Sequence, residues 1–428
     1  MLTVAYLANE FPSAVEPYVI EEIEELRGRG VRVVTGSIRR SRVESFAVGE
    51  KNADITLRDS SLRQLVRAAW LCVCQWMCIL PLLQRILLGG KENPFQRLKA
   101  MVHTFLGAVY AVRLTGRGVR HIHVHHGYFG SWVGMTAARL LGVGFSFTLH
   151  GSDLLLHGSY LDTKLAACTF CMTVSEYNRQ YLLAHYPGID EQKVIVARMG
   201  VDIPPKASAQ NSNVAHRPIK ILSVGRLHPV KDHAFLVRAC AKLAARGLDF
   251  ECRIVGDGPE RRRLQGLIDE YGMADRIKLL GHVVRERIGA LYNRADLVVL
   301  TSKSEGIPLV LMEAMARGKI VLAPSITGLP ELVISGKTGF LYEPESIEDF
   351  VQSVLLIHSL LLAEVACAED SFLRSDGRLD WIRHAARTHV QHSFNRDQNL
   401  KFFADCFLIW AVPRNEIASD ENPVLQQI

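Results

Sequence analysis

The chain has 428 residues, of which 48% are apolar and 22% are charged. That length exceeds one ordinary core and predicts two sizeable domains, while the composition excludes a disordered or fibrous chain. A net charge of +6, from 50 basic and 44 acidic residues, suits an anionic small ligand or an anionic membrane surface and argues against a dedicated nucleic-acid binder. The nine cysteines are scattered, and we expect free thiols in a reducing compartment.

The first half of the sequence alternates between strand-like and helix-like segments. MLTVAYLANEFP lacks the basic start and the cleavage site of a signal peptide, so it predicts a strand at Leu2–Ala8 in a protein that stays inside the cell. An amphipathic helix is predicted at Glu16–Arg27. Further strands are predicted at Val31–Thr35, Ile122–His126, Phe145–Leu149 and Cys171–Ser175. This alternation indicates a parallel sheet covered by helices on both faces.

Residues 62–88 interrupt that alternation with the sequence LRQLVRAAWLCVCQWMCILPLLQRILL. Arg67 and Arg85 bracket 17 uncharged residues, fewer than the about 20 apolar residues that a membrane-spanning helix needs. Two interpretations stay open. The segment is either a helical hairpin packed on the first domain or a patch that enters one lipid leaflet, with Trp70 and Trp76 at the level of the headgroups.

A polar segment at residues 204–218, PPKASAQNSNVAHRP, is typical of a linker. It separates an N-terminal domain at 1–203 from a C-terminal domain at 219–395. Six strands are predicted in the second domain: Ile219–Gly225, Phe250–Gly256, Arg276–Gly281, Asp296–Ser302, Lys319–Pro324 and Gly339–Glu343. The predicted fold class is therefore α/β, with two Rossmann-like, doubly wound parallel-sheet domains facing each other across a cleft. Such sheets bind ligands at the carboxyl ends of their strands.

The segment SEGIPLVLMEAMARG places two carboxylates, Glu305 and Glu313, eight positions apart. Glu305 lies in the loop after a predicted strand, and Pro308 suits the first turn of the helix that follows. Glu313 lies in the apolar part of that helix, where a charged group needs a partner. A sugar hydroxyl is a suitable partner, because carboxylates accept hydrogen bonds from such groups. A solvated helix position is the structural alternative.

Two cations follow the first strand of the second domain in SVGRLHPVKDH. Arg226 and Lys231 at a strand end favour capture of a phosphate or diphosphate, with plain surface solvation as the alternative. The nearby VGDGPE lacks the third glycine of a dinucleotide fingerprint. We interpret it as a tight turn that starts a helix, with Asp257 as N-cap and Pro259 near the first helical position.

Histidines mark two loops of the first domain, in HIHVHHGYFG and TLHGSD. His121, His123 and His125 alternate along one strand face, which invites a metal interpretation. No acidic residue or cysteine stands beside them in the sequence, so we expect no metal there. His150 and Asp153 follow another strand, and they are either site residues or a loop histidine with a helix-capping aspartate.

Together these segments resemble the retaining, nucleotide-sugar-dependent glycosyltransferases of the GT-B fold, family GT4. SEGIPLVLMEAMARG matches the E-x7-E signature of that family, and SVGRLHPVKD, IVGDGPERRRL and SITGLPELVISGKTGFLYEP are similar to its neighbouring segments. FPSAVEPYVIEEIEEL, HVHHGYFG and TLHGSDL are similar to a subgroup that builds bacterial exopolysaccharides, colanic-acid-like enzymes among them. WIRHAARTHVQHSFNRDQNLKFFADCF resembles the closing helices, so residues 396–428 are expected to return to the first domain.

The resemblance implies a role for each motif residue. Arg226 and Lys231 would hold the donor diphosphate, Glu313 the ribose, and Glu305 the transferred sugar, with His150 above that sugar. The implied catalytic set is Glu305, His150, Arg226 and Lys231. The implied donor-binding set is Gly225, Arg226, Lys231, Gly256, Gly258, Gly306, Ile307, Pro308, Leu309 and Glu313. The implied acceptor-side set is Glu16, Tyr18, His126 and Asp153.

The implied reaction moves a sugar from an NDP-sugar to an acceptor hydroxyl with retention of configuration, in exopolysaccharide or other cell-surface glycan synthesis. The acceptor would be a lipid-linked glycan at the inner membrane face or a soluble one, with no cofactor, metal or nucleic acid. A nucleotide-sugar epimerase and a non-catalytic nucleotide-sugar-binding protein are the alternatives. The chain departs from the family at Thr327-Gly328, where two glycines are frequent, and in the glycine-free loop Pro12–Pro17.

Overall fold

The computed structural model describes residues 1–13, 16–41, 52–156, 158–205, 217–369 and 377–412. The chain forms two compact units. The first unit comprises residues 1–174, residues 178–197 and the chain from Leu400 onward, and the second unit comprises residues 175–177 and 198–399. Most of the predicted linker, at residues 206–216, lies outside the described residues, as do residues 14–15 of the loop Pro12–Pro17 and the end of the predicted C-terminal segment.

The first unit is built on a parallel sheet of seven described strands. These are β1 (Thr3–Glu10), β2 (Arg32–Arg39), β3 (Ile55–Thr56), β4 (His121–His125), β5 (Gly144–Leu149), β6 (Phe170–Thr173) and β7 (Val194–Val196). They lie in the order β3-β2-β1-β4-β5-β6-β7. The helices of this part of the chain are α1 (Pro17–Gly28), α2 (Leu62–Cys74), α3 (Trp76–Leu88), α4 (Pro94–Leu114), α5 (Phe129–Leu141), α6 (Ser152–Leu155), α7 (Leu161–Ala167) and α8 (Glu176–His185).

The second unit is built on a parallel sheet of six described strands. These are β8 (Ile219–Val224), β9 (Phe250–Val255), β10 (Ile277–Gly281), β11 (Leu297–Val299), β12 (Ile320–Pro324) and β13 (Phe340–Tyr342). They lie in the order β10-β9-β8-β11-β12-β13. The remaining helices are α9 (His233–Ala245), α10 (Arg261–Glu270), α11 (Arg285–Arg294), α12 (Leu309–Ala316), α13 (Leu329–Leu332), α14 (Ile347–Glu369), α15 (Arg378–Ser393) and α16 (Arg396–Ala411).

The predicted α/β class with two doubly wound parallel sheets is confirmed, and each predicted strand is present within a few residues of its expected bounds. Strands β4 and β12 are buried along their whole length, as expected of strands covered on both faces. Sequence analysis missed β3 and β7. Both are edge strands of two and three residues, too short for a hydrophobic pattern to develop.

Each sheet has one place where the strand order reverses. In the first unit the reversal lies between β1 and β4, and in the second unit it lies between β8 and β11. A crevice forms at the carboxyl ends of the two strands that flank such a reversal, and doubly wound sheets bind their ligands there. Ligand binding is therefore expected at the loops after β1 and β4 in the first unit and at the loops after β8 and β11 in the second unit.

The apolar segment 62–88 forms α2 and α3, which meet at an angle of 89°. No single described helix is long and apolar enough to cross a bilayer, and α2 and α3 pass that test only as a bent pair. Ala68, Ile79, Leu82 and Ile86 bury one side of this pair in the core of the first unit. The opposite side is exposed, and its large side chains include Trp70 and Met77, which are 68% and 71% accessible to solvent.

Candidate functional site

The reversal point of the second unit brings Lys231 and Glu305 together. The loop after β11 is tied to the loop after β8 by two hydrogen bonds. The Lys303 amide donates to the Val230 carbonyl oxygen over 2.8 Å, and the Thr301 hydroxyl donates to the Lys231 carbonyl oxygen over 3.0 Å. Lys231 Nζ then lies 2.5 Å from Glu305 Oε1. Both side chains are mostly buried, so the pair is held in one geometry with little screening by water.

Arg226, in the same loop as Lys231, is exposed and makes no side-chain hydrogen bond or ion pair with the described residues. Its guanidinium has five donors in a planar fork, which suits a phosphate. The two predicted cations therefore differ in state, because Lys231 already holds a carboxylate and Arg226 holds none. One fixed and one open positive charge stand at the same strand end.

Helix α12 begins beside this pair. Pro308 is its N-cap, with an extended backbone at φ −78° and ψ 122°, and no side chain of the described residues caps the helix. The predicted position of Pro308 inside the first turn is therefore wrong by one residue, because a proline at the N-cap leaves the first turn to begin at Leu309. The amides of that turn carry the positive end of the helix dipole.

Glu313 has a protein partner that sequence analysis did not find. The Tyr292 hydroxyl, on α11, donates to Glu313 Oε2 over 2.9 Å. Burial and the neighbouring Glu313 carboxylate raise the pKa of Tyr292 well above its ordinary value, so the phenol stays protonated. The other carboxylate oxygen of Glu313 has no hydrogen bond within the described part of the chain. It remains available to a ligand hydroxyl.

Gly256 and Gly258 have a packing role in the second unit. A Cβ atom on Gly256 would lie 1.9 Å from the Gly225 carbonyl oxygen, and one on Gly258 would lie 2.4 Å from the Leu227 carbonyl oxygen. Gly256 also has a φ of +138°, which other residues rarely adopt. These glycines let the loop after β9 lie directly on the loop that carries Arg226. Their predicted contact with the donor stays a prediction.

The turn at VGDGPE does not cap a helix as predicted. Helix α10 begins at Arg261, with Glu260 as its N-cap residue. The Asp257 carboxylate instead accepts the Gly258 amide over 2.8 Å, and the Leu227 carbonyl oxygen accepts the Glu260 amide over 3.0 Å. The N-cap is therefore three residues later than predicted, so the predictions for Asp257 and Pro259 are wrong.

Thr327 occupies a position where the family frequently has a glycine, and its side chain forms a hydrogen bond that offsets the strain of its backbone. Its φ is +44°, in the left-handed region that a β-branched residue avoids. Its hydroxyl donates to the Glu305 carbonyl oxygen over 2.6 Å. A Cβ on the adjacent Gly328 would lie 2.7 Å from the Gly306 carbonyl oxygen. The Thr327-Gly328 turn therefore packs directly on the Glu305-Gly306 backbone.

The remaining donor-set residues of the second unit lie in the same group of loops. Gly225 directly follows β8, and its amide donates to the Val255 carbonyl oxygen. Gly306 and Ile307 connect Glu305 to α12, with Ile307 buried in the core, and Leu309 is the first residue of that helix. Sequence analysis thus selected a set of residues that the fold does bring together.

The reversal point of the first unit holds a buried charged cluster. His126 follows β4 with a φ of +72°. Its Nε2 lies 2.9 Å from Glu16 Oε1, and its Nδ1 lies 3.5 Å from Asp153 Oδ2. Burial lowers the pKa of His126, but the Asp153 and Glu16 carboxylates outweigh that effect and raise it to about 10. His126 is therefore an imidazolium at neutral pH.

Asp153 organises the loops around this cluster. Its carboxylate accepts the backbone amides of Gly127, His150 and Gly151 over 2.8 to 3.1 Å. Burial acts to raise the pKa of Asp153, but the bond to His126 and these amides hold it far below its ordinary value. Asp153 is the second residue of α6 rather than its N-cap, and it joins the loop after β4 to the loop after β5.

A second set of side chains extends from α1 to His150. Glu22 Oε2 lies 2.8 Å from His125 Nε2, and the Tyr6 hydroxyl donates to the same Glu22 oxygen. His125 Nδ1 lies 3.1 Å from His150 Nε2. The ring of Tyr18 packs against that of His150, with centroids 4.9 Å apart. Burial, followed by the neighbouring His126 charge, lowers the pKa of His150 well below its ordinary value.

Glu22 is a site residue that sequence analysis missed. It lies on the buried face of α1, beside Val19, Ile23 and Leu26, and a carboxylate on such a face was the available signal. The fold thus places beside the histidines a carboxylate that their own sequence segment lacks. Glu22, His123 and His125 place ligand atoms within 4.8 Å of one another.

Hydrogen bonds within the protein account for the position of the His123 side chain in this cluster. His123 Nδ1 and Nε2 already contact the hydroxyls of Ser146 and Thr148, at 2.8 and 3.1 Å. A metal ion would have to displace those bonds. His121 contacts Ser146 in the same way, over 2.7 Å, and burial lowers its pKa to about 3.

Two protein-family descriptions match complementary parts of the chain. "Glycosyltransferase Family 4" matches residues 15–203, and "Glycosyl transferases group 1" matches residues 206–361. The first covers the described loops around Glu16, His126 and His150. The second covers those around Arg226, Lys231, Glu305 and Glu313.

Two curated relatives carry names from exopolysaccharide synthesis. The chain is 32% identical over 215 residues to the colanic acid biosynthesis glycosyltransferase WcaL of Escherichia coli. The matched region covers 49% of each protein. It is 30% identical over 246 residues to the amylovoran biosynthesis glycosyltransferase AmsK of Erwinia amylovora. That matched region covers 54% of this chain and 60% of AmsK. The chain thus spans about half the length of the curated relatives it matches.

The fold also occurs among solved structures. The Anabaena protein HepE, in complex with UDP and glucose, superposes with a TM-score of 0.65 and 19% identity, covering 96% of this chain and 100% of that chain. At that identity the likeness concerns the fold.

Proposed function

The chain belongs to the group 1 glycosyltransferases of family 4, with the GT-B fold, and on that premise we propose that it transfers a sugar from an NDP-sugar to a glycan acceptor with retention of configuration. The observation that carries the proposal is the reversal point of the second unit. A fixed Lys231–Glu305 pair, an open Arg226 and the uncapped start of α12 are gathered there. A nucleoside diphosphate supplies the negative charge that this arrangement lacks.

The diphosphate would lie between Arg226, Lys231 and the first turn of α12. Bidentate contacts from arginine and backbone amides at a helix start are both common in phosphate binding. Glu305 holds the Lys231 ammonium in place before the ligand arrives, so little reorganisation is needed on binding. The free oxygen of Glu313 would accept a ribose hydroxyl, with Tyr292 fixing the carboxylate from its other side.

In the proposed reaction, the bond between the anomeric carbon and the diphosphate oxygen breaks and the NDP departs with the electron pair. The anomeric carbon forms a bond to the acceptor oxygen on the same face, and the acceptor proton passes to the departing phosphate. Arg226, Lys231 and α12 stabilise the negative charge that develops on the diphosphate, which is usually the largest electrostatic contribution. Glu305 and His150 would orient hydroxyls of the sugar. The proposal uses no metal ion and no cofactor besides the donor.

The names of WcaL and AmsK support a cell-surface exopolysaccharide as the product. The HepE complex supports a nucleotide sugar as the donor, because a protein of the same fold holds UDP together with glucose. We propose a lipid-linked acceptor at the cytoplasmic face of the membrane.

The exposed side of helices α2–α4 supports that choice of acceptor. Its large apolar side chains, here called the apolar face, are Leu62, Val66, Trp70, Val73, Trp76, Met77, Leu80, Leu87, Phe95, Leu98 and Val102. Between residues 61 and 105 the sequence has six basic residues and one acidic residue, Glu92. Glu92 is paired with Arg85 at 2.9 Å, whereas Arg63, Arg67, Lys91 and Lys99 are exposed. An apolar face bordered by cations suits an anionic lipid surface.

Donor binding and turnover can be separated with two variants. A thermal-shift panel of UDP, GDP, ADP, dTDP and NAD first identifies the base, since a ligand at 100 times its Kd stabilises by about 2.7 kcal/mol. Glu313→Ala should then weaken binding of that NDP-sugar in calorimetry, and Glu305→Ala should lower turnover more than binding. Glu270→Ala, an exposed residue at the end of α10, is the control. Unchanged donor affinity in Glu313→Ala would contradict the proposal, and conversion of the NDP-sugar without any acceptor and with little release of NDP would favour the epimerase.

Membrane association can be tested by cosedimentation with vesicles. The chain should bind vesicles that contain phosphatidylglycerol more tightly than pure phosphatidylcholine, and less tightly as salt rises. Trp70→Ser with Met77→Ser should reduce binding to both, and Arg63→Glu with Arg67→Glu should remove the preference for the anionic lipid. Trp381→Ser, an exposed tryptophan of α15, is the control. Equal binding of all variants would exclude this face.

A further inference from the structure

Buried side chains between α1 and His150 form a hydrogen-bonded connection whose role rests on the proposed glycosyl transfer. Two hydrogen bonds connect Glu22 to His150 within the first unit. Glu22 Oε2 contacts His125 Nε2 at 2.8 Å, and His125 Nδ1 contacts His150 Nε2 at 3.1 Å. His150 Nδ1 is buried and has no hydrogen-bond partner among the described residues. One end of the connection is a carboxylate, and the other end is an unsatisfied nitrogen.

The direction of each hydrogen bond follows from the chemistry of these groups. An ionised carboxylate only accepts, so the Tyr6 hydroxyl and His125 Nε2, which both contact Glu22 Oε2, must both donate to it. A neutral His125 that carries its proton on Nε2 has a bare Nδ1. That nitrogen must accept, and its partner is His150 Nε2, which therefore carries a proton. A neutral His150 with a proton on Nε2 presents a bare Nδ1.

The surrounding charges favour this assignment. His126, held between Glu16 and Asp153, is positively charged and lies with its ring centroid 6.3 Å from that of His125 and 4.6 Å from that of His150. A second or third imidazolium beside it would be repelled. The reverse direction of the hydrogen bonds would require a doubly protonated His125 or a protonated Glu22.

We propose that Glu22 is a positioning residue that sets the tautomer of His150 through His125, so that His150 Nδ1 meets the transferred sugar as an acceptor for one of its hydroxyl groups. Glu22 touches neither substrate nor reacting atoms in this proposal. It determines whether His150 Nδ1, which is buried and has no hydrogen-bond partner among the described residues, is a donor or an acceptor. A buried acceptor of that kind rejects a sugar that has no hydroxyl at the matching position, because the nitrogen then stays unpaired.

The tautomers can be measured in the whole chain without substrate. Protonated and bare imidazole nitrogens differ in ¹⁵N chemical shift, so long-range ¹H–¹⁵N spectra of histidine-labelled protein report them, with His125→Gln and His150→Gln for assignment. We expect protons on Nε2 of both His125 and His150. Tyr6→Phe removes the other donor to Glu22, a hydroxyl that also lies 3.0 Å from His125 Nε2. It should leave both tautomers unchanged, because Glu22 still accepts the proton of His125 Nε2. A proton on Nδ1 of His150 in the wild type would overturn the proposal.

Kinetics provide the second measurement. Glu22→Gln should shift the tautomer of His150 or mix the two forms, and should lower kcat about tenfold or more with less than a twofold change in the donor KM. Glu24→Gln, an exposed residue of the same helix, is the matched control. If Glu22→Gln does not fold, the wild-type and Tyr6→Phe spectra still decide the question. Turnover by the wild type with a proton on His150 Nδ1 would refute only this inference, whereas absence of any transfer would refute the proposed function.

Discussion

The two sheets reverse their strand order in the same way, but the two reversal points are equipped differently. Between β1 and β4 the charged groups are buried, and His126, Asp153 and Glu22 each have partners within the protein. Between β8 and β11 the Lys231–Glu305 pair is mostly buried, but Arg226 is exposed and has no partner among the described residues. The first arrangement fixes orientation, and the second leaves charge available to a ligand.

The difference has a physical origin. A buried charge is tolerated only if it is paired and hydrogen bonded, and losing one partner leaves the other uncompensated. A partly exposed charge is solvated when its partner is absent, so its loss costs little stability. Substitutions in the first unit's cluster should therefore reduce stability, and substitutions at the second unit's strand ends should reduce function.

The largest effect is expected for Lys231→Met, measured as kcat with the identified donor. Loss of a fixed cation that stabilises the leaving diphosphate should lower kcat by roughly 100- to 1,000-fold. The free energy of unfolding should fall as well, because the mostly buried Glu305 loses its partner, so kcat is measured well below the unfolding transition of the variant. Lys303→Met changes a nearby exposed lysine in the loop after β11 and should keep near-normal activity. If the activity of Lys231→Met stays within threefold of the wild type, Lys231 does not stabilise the leaving diphosphate as proposed.

Asp153→Asn tests the structural side. The amide has one acceptor oxygen in place of two, and its NH2 group would face backbone amides that now donate to the carboxylate. We expect a loss of about 2 to 4 kcal/mol in the free energy of unfolding, measured by urea titration. Asp162→Asn is the control, since that carboxylate is more than half exposed in its pair with Arg85 and should change stability by less than about 1 kcal/mol. Equal losses of unfolding free energy in Asp153→Asn and Asp162→Asn would mean that burial does not decide how much each carboxylate contributes to stability.

The pH dependence of stability gives a smaller effect with a definite sign. The folded pKa of His126, about 10, lies above the ordinary value of 6.5. Its contribution is therefore complete below pH 6.5 and is lost as pH rises towards 10. The difference in unfolding free energy between wild type and His126→Gln should shrink by roughly 1 to 3 kcal/mol over that range. A difference for His126→Gln that widens as pH rises would contradict the assignment.

The fold was predictable because buried parallel strands leave apolar runs that alternate with amphipathic helices. The residues at the strand ends were predictable from that order. Their pairing was not, because Lys231 and Glu305 are 74 positions apart and Glu22 and His125 are 103 apart. No local pattern encodes such contacts. Gly256 and Gly258 show the converse, since a pattern associated with nucleotides also serves the contact between two loops.

Thr327 offers the smallest effect and the finest test of how the second unit holds Glu305. Its left-handed backbone costs roughly 1 kcal/mol, and its hydroxyl bond to the Glu305 carbonyl oxygen contributes about 1 kcal/mol. Thr327→Ala keeps the strain and loses the bond, so stability should fall by about 1 kcal/mol. Thr327→Gly loses both and should stay within about 0.5 kcal/mol of the wild type by urea titration. If both variants lower stability equally, backbone strain has no part in this turn. If Thr327→Gly is as stable as the wild type but has a lower kcat, the Thr327 hydroxyl serves to position Glu305. The reversal point between β8 and β11 would then contain one orienting hydrogen bond of the kind that is common between β1 and β4.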